Sequence, residues 1–218
     1  MQTTTSQNLN SRIQSIDLLR GLVMIIMALD HSRDFFHSQA FTGNPLDLNS
    51  TTPLLFFTRW VTHFCAPVFV FLSGISIYLQ SLKKSKKELS FFLVKRGLWL
   101  VLIELFIMSL AFTFDMAYPL FILQTIWAIG ISMIILGVLL WLPYSAILII
   151  GVAIVFGHNI LDFSEAHHLG NYGLGWSFLH HQNKIPLWGH HTLFIFYPFL
   201  AWTGLMILGF CCVKNIQP

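Results

Sequence analysis

Residues 56–79, FFTRWVTHFCAPVFVFLSGISIYL, decide the fold. The stretch holds one arginine, one histidine and no acid. As a helix it would run for about 36 Å, enough to cross roughly 30 Å of hydrocarbon. Its apolar residues come in unbroken runs and do not alternate with polar ones, so it is not a barrel strand. The rest of the chain is of the same kind. Of 218 residues, 56% are hydrophobic, 21 are phenylalanine and only 10% are charged. Mean hydropathy is +0.71. An ordinary soluble domain carries about 25% charged residues, and a chain of this size cannot hide that much apolar surface from water. Composition excludes a soluble enzyme, a nucleic-acid-binding module and a disordered chain.

The predicted architecture is all-α: a polytopic membrane protein of about six spans, at 18–36, 54–80, 97–114, 120–141, 145–162 and 191–213. Residues 1–11 read as a loose polar N-terminus, 12–213 as one six-span membrane domain and 214–218 as a tail. No cleavable signal pattern precedes the first span. Of the 12 lysines and arginines, an N-in arrangement leaves nine on the inner side and three, Arg33, Arg59 and Lys184, on the outer side. That bias predicts both termini in the cytoplasm. The net charge of +3 reflects this asymmetry and not a nucleic-acid partner. Two long outer segments are expected, at 37–53 and 163–190, and a basic inner connection at 81–96.

Ionisable groups inside a bilayer are costly, so each is a functional candidate. The first span, RIQSIDLLRGLVMIIMALDHSRDFF at 12–36, carries most of them. Arg20 and His31 are eleven residues apart, which puts them on one helix face about 16 Å apart along the axis. Asp17 and Asp34 flank that face. A cation at the inner mouth and a titratable base three turns deeper make a lane for an elongated anionic ligand, and His suits acid–base work near neutral pH. The same spacing also fits a snorkelling arginine and a hydrogen-bonded core histidine. Asp30 is a second candidate orienter of the His31 ring. In the second span Arg59 and His63 share a face that runs on toward Ser73 and reads as cavity lining or as helix packing. Glu104, in the third span, needs a partner there. Gln124 and Trp127 give a weaker signal of the same kind.

The paired histidines 167–168, 180–181 and 190–191 lack the spacing of a metal site, so no metal is expected. His31 and His63 lie at different depths, which argues against a bis-His haem. Cys65, Cys211 and Cys212 form no disulfide framework.

The first span, the stretch at 56–79, WAIGISMIIL at 127–136 and FYPFLAWTGLMILGF at 196–210 together resemble the heparan-alpha-glucosaminide N-acetyltransferase catalytic-domain family in its bacterial form. That family is similar to the acyltransferase-3 proteins, whose first span carries Arg, ten residues, then His, as at Arg20 and His31. The resemblance implies transfer of an acetyl or other acyl group from cytosolic acyl-CoA to a sugar or glycan acceptor across the membrane. It implies acyl-CoA as co-substrate, held near Arg20 and Asp17, with His31 as base or acyl relay and Asp34 beside it. The lysosomal enzyme of the family has Asn at the position of His31 and its catalytic His further along, which makes His37 a further candidate. Asp30, Arg59, His63, Ser73 and Glu104 are expected to line the pocket. Full-length members have about ten or eleven spans, so the chain resembles their N-terminal part. The bacterial inner membrane and a homo-oligomer complete the expectation. A transporter with a His31–His63–Glu104 path and a non-catalytic membrane scaffold are the competing readings.

Overall fold

The computed structural model describes residues 3–36, 51–166 and 173–213. The chain divides into two compact units, Met1–Leu72 and Ser73–Pro218. The first unit contains α1 (Thr3–Phe36), α2 (Pro53–Thr62) and the start of α3 (Cys65–Ser81). α1 is unbroken, because no proline or glycine pair interrupts its apolar run. Pro53 opens α2 at its first turn, where the missing N–H costs nothing. Thr52 caps it, its hydroxyl accepting the Leu55 amide at 3.3 Å. α2 ends at a short turn over His63 and Phe64. Pro67 lies four residues beyond His63 and has no N–H to give the His63 carbonyl, so the break falls where the ladder loses that bond.

The second unit begins within α3 and continues through α4 (Lys86–Leu102), a π-helical turn (Ile103–Met108) and α5 (Ser109–Thr113). Ser85 and Glu88 close a capping box at the start of α4. Phe114 ends α5 in a left-handed conformation, φ 51°. Next come β1 (Leu120–Leu123), α6 (Thr125–Leu139), α7 (Tyr144–Gly157), α8 (Ile160–Ala166), α9 (Leu174–Leu179), β2 (Asn183–Pro186), β3 (Thr192–Ile195) and α10 (Phe199–Cys212). The sheet order is β1-β3-β2. β1 and β3 are parallel, with Leu120 opposite Thr192, and β2 is antiparallel to β3. Leu123, Trp127, Ala128, Leu193 and Ile195 form the buried core where sheet meets α6. Helices α4, α6, α7 and α10 pack as a bundle. The Ser132 and Thr203 hydroxyls, 3.0 Å apart, link α6 to α10.

The protein is mostly helical, as expected, but the expected spans are not six plain helices. Those at 120–141 and 191–213 each begin as a strand, and that at 145–162 divides into α7 and α8. The span at 97–114 forms the end of a longer helical rod and passes through the π-turn. Two strands of the small sheet, β1 and β3, escape a hydropathy reading because they are as apolar as the helices they feed. One helical stretch among the described residues, Pro53–Ser81, is both long and apolar enough to cross a membrane. The apolar helices α6, α7 and α10 are shorter, 15, 14 and 14 residues.

α4 and α6 cross backbone to backbone at Gly97 and Gly130. A Cβ on Gly130 would sit 2.8 Å from the Gly97 carbonyl oxygen, a backbone atom that cannot swing away. Small residues at such crossings let backbones touch. Gly130→Val should therefore force α4 and α6 apart and lower the melting temperature of the detergent-solubilised protein by several degrees. Gly157→Ala, whose Cβ would meet nothing within 4 Å, should leave it unchanged. Equal melting temperatures for the two variants would refute the crossing.

Candidate functional site

Each unit holds one polar constellation. In the first unit it joins α1 to α2. The Asp30 carboxylate accepts from Arg59 Nη1 at 3.2 and 2.9 Å, one bond to each oxygen. The Thr62 hydroxyl lies 2.8 Å from Asp30 Oδ1 and 3.1 Å from the Arg59 carbonyl. Arg59 and Thr62 are one turn apart on α2, so both reach the same side. Thr62 is buried and the Asp30 side chain is only 17% exposed. A charge-assisted pair so shielded is stronger than one on an open surface.

About three turns toward the N-terminal end of α1, the Arg20 guanidinium is 3.5 Å from Asp17 and 3.4 Å from the Leu72 carbonyl. Asp17 itself is mostly exposed. The unbroken helix keeps Arg20 and His31 on one rod, three turns apart. His31 is exposed, immediately after the Asp30 anchor. His63 is also exposed, at the C-terminal end of α2. The Asp34 side chain and the whole of His37 lie outside the described residues.

The second constellation surrounds Glu104, which is 1% exposed. Glu104 lies in the π-turn. The extra residue of that turn brings Glu104 and Ser109 to bear on the β1–α6 junction. Glu104 Oε1 accepts the Gln124 amide at 2.9 Å. Gln124 is the N-cap residue of α6, and its side chain makes no capping bond. The Glu104 carboxylate takes that role from another element and lies at the positive end of the α6 dipole. Ser109 Oγ accepts the Ile122 amide at 3.0 Å and faces the Glu104 carbonyl at 3.2 Å. Glu104 Oε2 and the Trp127 indole nitrogen, both buried, make no hydrogen bond among the described residues. Ser73 is half-buried in α3.

Sequence reading picked out Asp30, Arg59 and Glu104 but not their partners. Thr62 and Ser109 carried no signal, because a single hydroxyl in an apolar run looks like helix packing. Gln124 was a weak signal as a side chain; its backbone amide does the work. Two of the paired histidines have local roles. His180 Nε2 lies 2.9 Å from Asp162 Oδ1, and His191 Nδ1 lies 2.8 Å from the Tyr118 carbonyl. Among the described residues no three His, Cys, Asp or Glu side chains come together as a metal site would require.

A family model described as "Heparan-alpha-glucosaminide N-acetyltransferase, catalytic" matches residues 12–218. No curated protein and no solved structure matches the chain.

The two constellations differ in what their removal should do. Arg59→Ala takes the guanidinium away from the shielded Asp30 carboxylate, and should cost about 1–3 kcal/mol. Adding Asp30→Ala to it should recover part of that loss. Glu104→Ala, which bares the first turn of α6, should cost more than Glu104→Gln, which keeps a carbonyl acceptor for the Gln124 amide. Chemical denaturation in detergent measures these four together with Asp30→Ala alone. An additive double variant at 30 and 59 would sink the ion pair, and equal losses at 104 would sink the cap.

Proposed function

Because the chain belongs to the heparan-alpha-glucosaminide N-acetyltransferase catalytic family, we propose that it is an integral membrane acyltransferase or the N-terminal portion of one. The reaction is transfer of an acetyl or other acyl group from cytosolic acyl-CoA to a sugar or glycan acceptor on the far side. The observation that carries this reading is the family match over residues 12–218. The arrangement in the first unit supports it. Arg20 and His31 ride one unbroken helix, and the residue before His31 is tied to α2 by an ion pair.

The proposed roles follow from the chemistry of each side chain. Arg20 keeps its charge at any working pH and presents a planar fork suited to phosphate. Its contacts with Asp17 and the Leu72 carbonyl hold it in place without covering it, since its side chain is 30% exposed. His31, when neutral, accepts the proton of the acceptor hydroxyl or amine as that group attacks the thioester carbonyl. The thiolate of the coenzyme leaves as the acyl bond forms. In the relay version the His31 nitrogen attacks first and the acceptor then displaces it. Asp30 accepts from Arg59 and Thr62 and, one residue from His31, is the second candidate orienter of its ring. Asp34, one turn on, is the proposed orienter, with His37 as the second candidate base. Arg59, His63, Ser73 and Glu104 belong to the proposed lining.

The six-span topology is part of the proposal. Many large apolar side chains are exposed on the helices, among them Ile25 and Leu29 of α1, Leu98 and Trp99 of α4 and Ile149 and Phe156 of α7. In water such surface would favour aggregation; in a bilayer it is the expected exterior. The open-edged sheet belongs outside the hydrocarbon, where water can satisfy its unpaired backbone groups.

His31→Ala in a full-length protein carrying this segment should abolish transfer from radiolabelled acetyl-CoA while coenzyme binding persists. Arg20→Ala should weaken coenzyme binding first, with Arg20→Lys a partial rescue. Near-normal transfer by His31→Ala would rule out its catalytic role. The topology is checked by single cysteines labelled in intact cells. Outside label at 83–87, or protection of 170–185, would overturn it.

A further inference from the structure

At one end of the second unit, the turn between α3 and α4 meets the α6–α7 connection and the end of α10. A cavity of about 260 Å³ opens there. Its walls are apolar, formed by Leu89, Leu140, Ile147 and Phe210 among others, and Lys84 and Lys86 stand at it. These two lysines belong to a run of four within five residues, Lys83, Lys84, Lys86 and Lys87, all exposed. The nearest acid in sequence, Glu88, is already engaged. Its Oε2 accepts the Ser85 amide at 2.9 Å and the Ser85 hydroxyl at 2.7 Å, which holds its carboxyl below the usual range. It stays with the capping box, and its single charge beside Lys84 leaves the four-lysine turn positive on balance.

Neighbouring side chains have the character of a membrane interface. Lys84 Nζ lies 3.8 Å from the centre of the Phe92 ring, so its stem is held and its ammonium placed. Trp141 is exposed, with its indole nitrogen 3.3 Å from Ser90 Oγ. Tyr144 lines the cavity, its hydroxyl donating to the Cys211 carbonyl at 2.6 Å. Trp and Tyr with polar ends anchored and rings on apolar surface mark the headgroup level of a bilayer. A ligand here meets positive charge at the mouth and hydrocarbon within.

We propose that this cavity holds the phosphate headgroup region of an anionic phospholipid, with Lys84 and Lys86 on the phosphate. The volume is below the roughly 300 Å³ at which pockets enclose whole drug-sized ligands. It therefore takes the head end of a lipid and leaves the tails outside, along the apolar flank of the bundle. The polar groups other than the lysines are spent. Tyr144 donates to Cys211, and Ser81 Oγ donates to the Tyr78 carbonyl at 2.6 Å. Recognition is thus by charge, and lipids with one net negative phosphate should bind alike whatever alcohol they carry. Basic clusters beside membrane helices attract such lipids. The inference rests on membrane embedding and not on the acyl-transfer chemistry.

The test uses the whole chain in a zwitterionic detergent, titrated with dioctanoyl phosphatidylglycerol. Binding is read by native mass spectrometry and by the rise in melting temperature. Dioctanoyl phosphatidylglycerol and phosphatidic acid should bind and stabilise alike, and dioctanoyl phosphatidylcholine should do neither. Lys84→Met/Lys86→Met keeps the apolar stems and should fold as the parent does without lipid. Its affinity should fall roughly thirtyfold, the loss expected for two lysines at a membrane surface. Lys83→Met/Lys87→Met removes the same charge from the same turn outside the cavity lining and should lose much less. Equal losses in the two double variants would overturn the cavity in favour of a diffuse basic surface. Equal binding of phosphatidylcholine would overturn recognition of charge. Binding of acetyl-CoA or inorganic phosphate at Lys84 and Lys86 without phosphatidylglycerol binding would overturn the lipid and assign the site to a soluble phosphate. Failure of acyl transfer would leave all of these readouts unaffected.

Discussion

The second unit depends on one carboxylate. Helix α6 starts directly from β1 with only Gln124 between them, and the Gln124 side chain does not cap it. A helix start in apolar surroundings leaves amides that neither water nor its own turn can satisfy. Glu104 solves this from another element, by accepting the Gln124 amide. To do so it must point away from the α4 axis toward the strand, and the π-turn at Ile103–Met108 is the local change that aims it. Ser109, at the end of that turn, accepts the Ile122 amide of β1. Two side chains five residues apart thus tie one helix to both the strand and the helix that follows. With β1 placed, β3 has its parallel neighbour, and β3 in turn leads into α10.

The first unit is organised by a different use of charge. Asp30 and Arg59 pair between α1 and α2, with the Thr62 hydroxyl adding a bond to Asp30 Oδ1. A pair of this kind gives limited net stability, because both ions gave up hydration to make it, although removing one partner alone is costly. Its value is in register. The carboxylate has one position on α1 and the guanidinium one on α2, so the two helices can meet in one way only. Everything on α1 near Asp30, His31 above all, inherits that register. A base that must meet a substrate at a set distance gains from such an anchor one residue away.

Sequence carried the helical class and the family, because both rest on long-range regularities: apolar runs, the basic asymmetry, and an Arg and a His at fixed spacing. It carried less of the local structure. The break at His63–Phe64 is legible in hindsight from Pro67, which removes one ladder bond. The π-turn leaves no such mark, since IELFIM is as apolar as its flanks apart from Glu104 itself. The strands at 120–123 and 192–195 were hidden for the same reason. Buried strands and buried helices are both continuous apolar runs, and periodicity does not separate them. At the candidate site the charged members were visible as anomalies in an apolar background. Their partners were a threonine, a serine and a backbone amide, which are ordinary in any membrane helix.

This difference between members and partners bears on how the proposed chemistry is divided. Arg20 and Asp17 are three residues apart on one helix and loosely paired at 3.5 Å with Asp17 mostly exposed, so the contact is weak. Arg59 and Asp30 come from separate helices, meet at 2.9 Å and are more shielded. The two arginines are therefore not equivalent. Arg59 is committed: an incoming anion would have to displace a carboxylate that already satisfies it. Arg20 meets the Leu72 carbonyl at 3.4 Å and Asp17 at 3.5 Å, longer contacts than the pair between Arg59 and Asp30. Of these two cations, the one with the looser acid contact is Arg20, eleven residues from His31 and the one proposed to hold the coenzyme phosphate.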